Sequence, residues 1–253
     1  LDLSANSALT VVSVISNSSL ASINIKNGNN ANLSVFDVRG SSSSLTCIQV
    51  SDVNFMNSTF SGGKDAGATY STICPLPCIV NIPNPAFKAA LVANNLIDTN
   101  NDDEIECSEA AAYTGSIDVN SLGITDLTGI EAFTALTSLD CSNNNLTFLN
   151  VISNTQLQSL NCAVNSINNL SFVGNANLTN LNLGNNQIQN FINLSGCTNL
   201  VNLSLANNQF TSVTLPVTNT LTSLQVQGNA LTAINVSGNP ALVIFAAGSN
   251  NIA

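Results

Sequence analysis

From Leu136 onward one phrase, Leu-x-x-Leu-x-Leu-x-x-Asn-x-Leu, returns six times, beginning at Leu136, Leu157, Leu178, Leu200, Leu221 and Leu242 at spacings of 21, 21, 22, 21 and 21 residues. A fixed short period restricts the fold more than composition can. Each copy is one supersecondary unit whose apolar side only a stacked neighbour can cover. In the first copy Leu136, Leu139, Cys141, Leu146 and Leu149 alternate as a short strand and a turn.

Stacking such copies predicts a mainly β chain, a leucine-rich-repeat solenoid with a curved parallel sheet and a buried column Leu139, Leu160, Leu181, Leu203 and Leu224. The Asn at the ninth place (Asn144, Asn165, Asn186, Asn208, Asn229, Asn250) turns the chain away from each strand. Its side-chain amide can serve the backbone groups that the bend leaves unpaired, so an internal Asn ladder is expected as structure, not as a binding site.

A second, earlier array precedes this one. Leu9-Val12-Val14-Asn17, Leu20-Ile23-Ile25, Leu33-Phe36-Val38 and Leu45-Ile48-Val50 return at 11 to 13 residues, about half the later period, so two phrases make one coil. Leu45 to Val50 is read as its last strand. The chain opens mid-repeat, and Leu242, Phe245, Ala247 and Ile252 complete a last strand with no polar cap after it, so it is read as part of a longer chain. The expected organisation is residues 1–73 as the end of a first array with its closing segment, 74–83 as a Pro-rich link, 84–113 as a helical cap, and 114–253 as a second array truncated at its C-terminal end.

The link Cys74-Pro75-Leu76-Pro77-Cys78 cannot continue a ladder, because each Pro lacks a donor. Asn84-Pro85 then forms a cap and first-turn pair for a helix from Ala86 to Asn95, with Phe87 and Leu91 on one face covering the open end of the second array.

Directly after it comes a twelve-residue acidic run, Asp98 to Glu109, with oxygen ligands at the spacing of an EF-hand calcium loop. Asp98, Asn100 and Asp102 would give side-chain oxygens, Glu104 its carbonyl, Glu106 a water-mediated contact and Glu109 a bidentate carboxylate, with Ile105 as the apolar anchor. Asp103 stands where the sharp turn normally takes Gly. Ten of the 14 carboxylates lie between Asp98 and Asp140, a self-repelling density that favours Ca2+ as a structural staple over a bare acidic turn.

Charge excludes several functions. Only 7% of residues are charged, the net charge is −10, and Lys26, Arg39, Lys64 and Lys88 are the only cations, which disfavours nucleic acid and anionic lipid as partners. No apolar run approaches the ~20 residues of a spanning helix, so no membrane insertion is expected. The chain has no His, and beyond Asp140 no Asp, Glu, Lys or Arg, so the later repeats lack the groups for general acid–base chemistry and the chain is not expected to be an enzyme.

Seven cysteines suggest export, with at least one thiol unpaired. Spacing leaves the connectivity open. The expected pairs are Cys47 with Cys74 and Cys78 with Cys107, each loop closure worth about 3–4 kcal/mol in the chain-entropy account. Cys141 and Cys162 occupy the inward place that Leu183, Leu205 and Val226 fill later and read as small core residues, while Cys197 on the return side has no evident partner.

The phrase Leu136-Thr-Ser-Leu139-Asp-Cys141-Ser-Asn-Asn144-Asn-Leu146, the segment Ile82-Pro83-Asn84-Pro85-Ala86-Phe87-Lys88 and the acidic twelve-mer together resemble bacterial secreted, cell-surface leucine-rich-repeat proteins. In such proteins a segment like Ile82 to Lys88 opens a fresh array and one like Leu45 to Val50 closes the previous one. A helical cap before the repeats is similar to the internalins. The resemblance implies a secreted or cell-surface module for adhesion or protein–protein interaction.

The outward columns of the repeat strands, Ser138, Ser159, Asn180, Asn202, Ser223 and Asp140, Asn161, Asn182, Ser204, Gln225, are the candidate ligand surface. They are small hydrogen-bonding groups, almost all neutral, suited to a protein or glycan at a cell surface. They contain no Trp, Tyr or Arg of the kind that anchors protein interfaces, and no aromatic platform for a sugar. The alternative is a passive stalk or accessory repeat region of a larger secreted enzyme or surface protein.

Overall fold

A computed structural model describes residues 1–17, 20–41, 45–74, 78–171 and 175–252. Contacts divide the chain into two compact units, Leu1–Cys78 with Asp98–Glu104, and Ile79–Ile97 with Ile105–Ala253. Pro75, Leu76 and Pro77 of the expected link lie outside the described residues.

In the first unit the half-length phrases alternate between two parallel sheets. Strand β1 (Val11–Ser13) pairs with β3 (Val35–Asp37), and β2 (Ile23–Asn24) pairs with β4 (Cys47–Gln49). Every second phrase is thus a neighbour, as two phrases per coil require, and Val12, Ile23, Phe36 and Ile48 are buried. The array does not end at Val50. Helix α1 (Val53–Thr59) follows, capped by Asp52 accepting from the Phe55 N–H at 2.9 Å, and then β5 (Thr69–Ser71) adds to β4. The strand escaped the sequence reading because Thr69-Tyr70-Ser71 carries one inward residue, Tyr70, and no leucine phrase. Tyr70 packs edge-on to Phe36 at 5.8 Å and donates its hydroxyl to the Phe60 carbonyl at 2.8 Å. Cys47 and Cys74 form the expected disulfide, Cα atoms 5.7 Å apart.

The second unit opens with helix α2 (Pro85–Val92), slightly shorter than expected, whose Asn84 cap accepts from the Phe87 N–H at 3.0 Å. Phe87 and Leu91 are buried on its inner face and share one continuous core with Ile97, Ile105, Ile117, Phe133 and Leu139, so the helix does cover the repeat array. Helix α3 (Cys107–Ala112) follows, and the Val80 N–H meets the Ile105 carbonyl at 2.8 Å just before it. Gly129 is needed where this lead-in chain meets the first repeat: its φ is +105°, and a Cβ there would stand 2.7 Å from Ile82 Cγ1.

The repeats build a seven-stranded parallel sheet in the order β6 (Ser116–Asp118), β7 (Ser138–Asp140), β9 (Ser159–Asn161), β11 (Asn180–Asn182), β13 (Asn202–Ser204), β15 (Ser223–Gln225) and β16 (Ile244–Ala246). Between them, on the return side, β8 (Phe148–Asn150) pairs with β10 (Asn169–Ser171) and β12 (Gln189–Asn193) with β14 (Gln209–Thr214). The register is unbroken in the main sheet: Leu139, Leu160, Leu181, Leu203 and Leu224 stand opposite one another and are each at most 2% exposed. Ile117 extends this column by one strand before the first leucine phrase. At the other end Phe245 continues the register but remains 48% exposed.

The Asn ladder is the internal frame of this array. In each repeat the side-chain NH2 donates to carbonyls of its own and the preceding repeat, and Oδ1 accepts a backbone N–H of the preceding repeat. Asn186 Nδ2 reaches the Cys162 and Leu183 carbonyls, both at 3.0 Å, and its Oδ1 accepts from Ile167 at 2.9 Å; Asn144, Asn165, Asn208, Asn229 and Asn250 do the same in their own coils. The residue before each ladder Asn has positive φ: Asn143, Val164, Asn185, Asn207, Gly228 and Ser249.

Candidate functional site

The two predicted columns stand in register on the outer side of the main sheet. Ser138, Ser159, Asn180, Asn202 and Ser223 line one edge of the buried Leu column, and Asp140, Asn161, Asn182, Ser204 and Gln225 line the other. All ten are partly or fully exposed. Period-two alternation puts both columns outward while the residue between them points in. Across the middle four strands these side chains line a shallow groove of about 330 Å3, from Ser159 to Gln225.

Part of this surface is committed to itself. Asn161 Nδ2 donates to Asp140 Oδ2 at 2.9 Å, and Asn202 Nδ2 donates to Asn180 Oδ1 at 2.7 Å, each joining adjacent repeats. Asp140 Oδ1 also accepts from the Ser142 N–H and hydroxyl at 2.9 and 2.6 Å. Asn182 is the contrast: its Oδ1 accepts the Gly184 N–H at 3.1 Å, but its NH2 has no partner among the described residues and faces the groove.

The predicted calcium ligands divide between the two units. Asp98 is 1% exposed, and its carboxylate accepts the backbone N–H groups of Asp102 and Asp103, both at 3.2 Å. Asn100 Oδ1 accepts the Asp102 N–H at 3.1 Å, and Asp102 Oδ1 accepts the Glu104 N–H at 3.0 Å. The run Asp98 to Glu104 is thus a nest of side-chain-to-backbone turns, in which Asn101 and Asp103 take φ of +56° and +63°. Asp103 therefore does adopt the left-handed backbone that Gly usually supplies, as Asp tolerates. In the second unit Glu106 precedes α3, and Glu109 Oε2 accepts the Glu106 N–H at 3.0 Å, a helix-start bond that the sequence reading missed although Glu three residues after a cap is its usual sign. Ile105, the expected apolar anchor, is fully buried. Among the described residues, no three carboxylates or thiols gather closely enough to hold a metal with the side chains so placed.

All four cysteines named as disulfide candidates are in disulfides, Cys47 with Cys74, and Cys78 and Cys107 also bonded. Cys141, Cys162 and Cys197 are free and fully buried. The hydrogen bond to Cys162, then burial, pushes the Cys141 thiol well above its ordinary range, and burial pushes Cys197 up to about 11. Neither is a poised nucleophile. Among the described residues no helix is long and apolar enough to cross a membrane.

No protein-family model matches the chain, and no curated protein does. Among solved structures it is similar to YopM from Yersinia enterocolitica, with 26% identity, a TM-score of 0.48, and coverage of 53% of this chain and 29% of YopM. It is also similar to the functional domain of InlJ from Listeria monocytogenes, described as including a cysteine ladder, with 26% identity, a TM-score of 0.43, and coverage of 72% of this chain and 50% of that one. Internalin C2 from Listeria monocytogenes gives 21% identity, a TM-score of 0.46, and coverage of 72% of this chain and 92% of that one. The chain thus spans half or less of the first two. The repeat fold itself rests on the strand register and the Asn ladder.

Proposed function

We propose that the chain is a non-catalytic, exported binding or adhesion module that presents the neutral strand face of its second unit to a protein or glycan at a cell surface. The carrying observation is the groove between the two polar columns, with the NH2 of Asn182 directed into it and its neighbours held by repeat-to-repeat bonds. Pre-ordered amides lose little entropy when a ligand takes the remaining donors and acceptors. Glycan arrays and surface-protein libraries probed with the whole chain, beside Asn182→Ala and Asn161→Ala, test this. Binding that both substitutions weaken at least about tenfold supports the reading. Absence of any binder, or binding indifferent to both, returns the face to a passive stalk or accessory region.

Within this reading calcium is a structural staple in the run 98–109, through Asp98, Asn100, Asp102, Glu104, Glu106 and Glu109. The ligand spacing and the density of carboxylates support it, and so do the buried Asp98 and the left-handed turn at Asp103. Calcium at a hundredfold over Kd would stabilise the folded chain by about 2.7 kcal/mol. Glu109→Gln keeps an acceptor for the Glu106 N–H while removing the carboxylate charge, so it separates helix capping from metal binding. The expected result is a melting temperature that rises with calcium in the wild type and not in Glu109→Gln. A wild-type melting curve that neither millimolar calcium nor chelator moves would dismiss the staple.

A further inference from the structure

The return side of the second unit carries a discontinuity that the main sheet lacks. Gln187 N–H meets the Ile167 carbonyl at 2.9 Å, and residues 172–174, which follow β10, lie outside the described residues. The register of β12 against β14 slips between Asn190 and Phe191, where β14 carries one extra residue, Thr211, and Asn190 takes a φ of +65°. Pairing resumes past the slip, from Phe191 opposite Ser212 to Asn193 opposite Thr214. Within β12 only Ile192 then points inward, and Phe191 stands 55% exposed.

Beside β12 lies a cavity of about 330 Å3. Leu170 and Ile192 give it an apolar floor, Phe191 an aromatic wall, and Asn169, Gln189 and Asn193 a set of primary amides. Asn193 Oδ1 accepts the Ser195 N–H at 3.0 Å, which fixes that amide and leaves its NH2 outward. The amides of Asn169 and Gln189 have no partner among the described residues. No ionisable side chain other than buried Cys197 occurs anywhere after Cys162, so nothing here selects for charge.

We propose that this cavity is a binding site for a neutral saccharide, distinct from the strand face and independent of its function. Primary amides offer a donor and an acceptor side by side, which matches vicinal hydroxyls. An exposed aromatic ring covers the C–H face of a sugar and loses less water than it gains in contact. The volume lies at the low end for small-ligand sites, room for about one or two hexose units. The aromatic platform missing from the polar columns is therefore present on the return side of the repeats, on Phe191, the outward residue directly before buried Ile192, as Phe148 is before Leu149.

The test is an NMR titration of the whole chain with maltose, cellobiose, lactose and N,N′-diacetylchitobiose at millimolar concentration. We expect saturation transfer from the protein to sugar C–H protons for at least one of them, with shifts in the side-chain NH2 signals of Asn169, Gln189 and Asn193. Phe191→Ala should weaken that binding at least about tenfold without moving the melting curve, since the ring is largely solvated. Asn193→Ala should weaken it by a smaller factor. Lack of transfer to every sugar overturns the proposal, as does binding that Phe191→Ala leaves intact or shifts confined to residues 159–161, 180–182 and 202–204. A hydrophobic peptide that shifts the same amides when no sugar does overturns it as well.

Discussion

Replacing Asn186 by Ala tests whether the ladder carries the stability of the second unit. The side chain makes donor bonds to the Cys162 and Leu183 carbonyls at 3.0 Å, a longer one to Gly184 at 3.3 Å, and accepts the Ile167 N–H at 2.9 Å. The carbonyls keep second donors: Cys162 from Asn165, Leu183 from Asn208, and Gly184 from the Val164 N–H. The Ile167 N–H keeps none. One orphaned buried N–H costs about 1–3 kcal/mol and each lost bond about 0.5–1.5 kcal/mol, so Asn186→Ala should cost about 2–4 kcal/mol once partial water entry is allowed. In urea denaturation this is a shift in midpoint at unchanged slope. Asn180→Ala, on the exposed column, should cost within about 0.5 kcal/mol. Asn186→Asp adds a pH readout. Buried among carbonyls, its carboxyl would be raised above the unfolded value of about 3.9, so the folded state would bind more protons and stability would fall as pH rises from about 4. Equal costs for Asn186→Ala and Asn180→Ala, or an Asn186→Asp variant more stable at pH 7 than at pH 4, would refute the assignment.

Two other outcomes follow from the same frame. Val164 is a β-branched residue at φ +57°, where other repeats place Asn143, Asn185 and Asn207, so Val164→Asn should stabilise by about 1 kcal/mol, measured by urea denaturation; a loss of stability would count against strain at this turn. The three free cysteines should not react with a thiol reagent at pH 8 in the folded chain and should all react in guanidinium, because all three are buried, the hydrogen bond to Cys162 and then burial raise Cys141, and burial raises Cys197; rapid labelling of the native chain would contradict their place in the core.

The buried column and the ladder were legible because they repeat identically, and a period of two inside a fixed repeat leaves the inward residues no second choice. The polar columns followed for the same reason. Other features lack that grammar. Asn154 and Asn175 donate to the Ile130 and Asn154 carbonyls at 2.8 Å on the return side and, with Cys197, Thr218 and Asn239, form a second column three residues before each new leucine phrase. Its composition varies, so only alignment of the copies from the phrase backwards would have exposed it. The same alignment gives Cys197 its place, a small buried residue where other repeats put Asn or Thr. Strand β6 falls inside the array expected from residue 114, although Thr114-Gly115-Ser116-Ile117 lacks the leading leucine of the later phrases; the slip in register between β12 and β14 has no sign in Gln-Asn-Phe-Ile-Asn, which reads as an ordinary strand.

Stacking in register also explains why charge disappears from the repeats. A residue in one copy stands about 5 Å from its counterpart in the next, where two carboxylates would repel by about 3 kcal/mol at an effective dielectric constant of 20. Asp140 shows both cases: on one side it stands opposite Asp118, and on the other it faces Asn161, whose NH2 donates to it at 2.9 Å. An amide column has no such penalty, because an amide donates to its neighbour in the preceding repeat, as Asn202 does to Asn180 and Asn207 to Asn185. Stacking in register thus disfavours like charges without forbidding them, and the neutrality of the later repeats says little about a ligand. What points to a ligand is the place where the stacking bonds stop: at Asn182, whose NH2 has no partner among the described residues, and beside Phe191, where an aromatic ring and the amides of Asn169, Gln189 and Asn193 line one cavity.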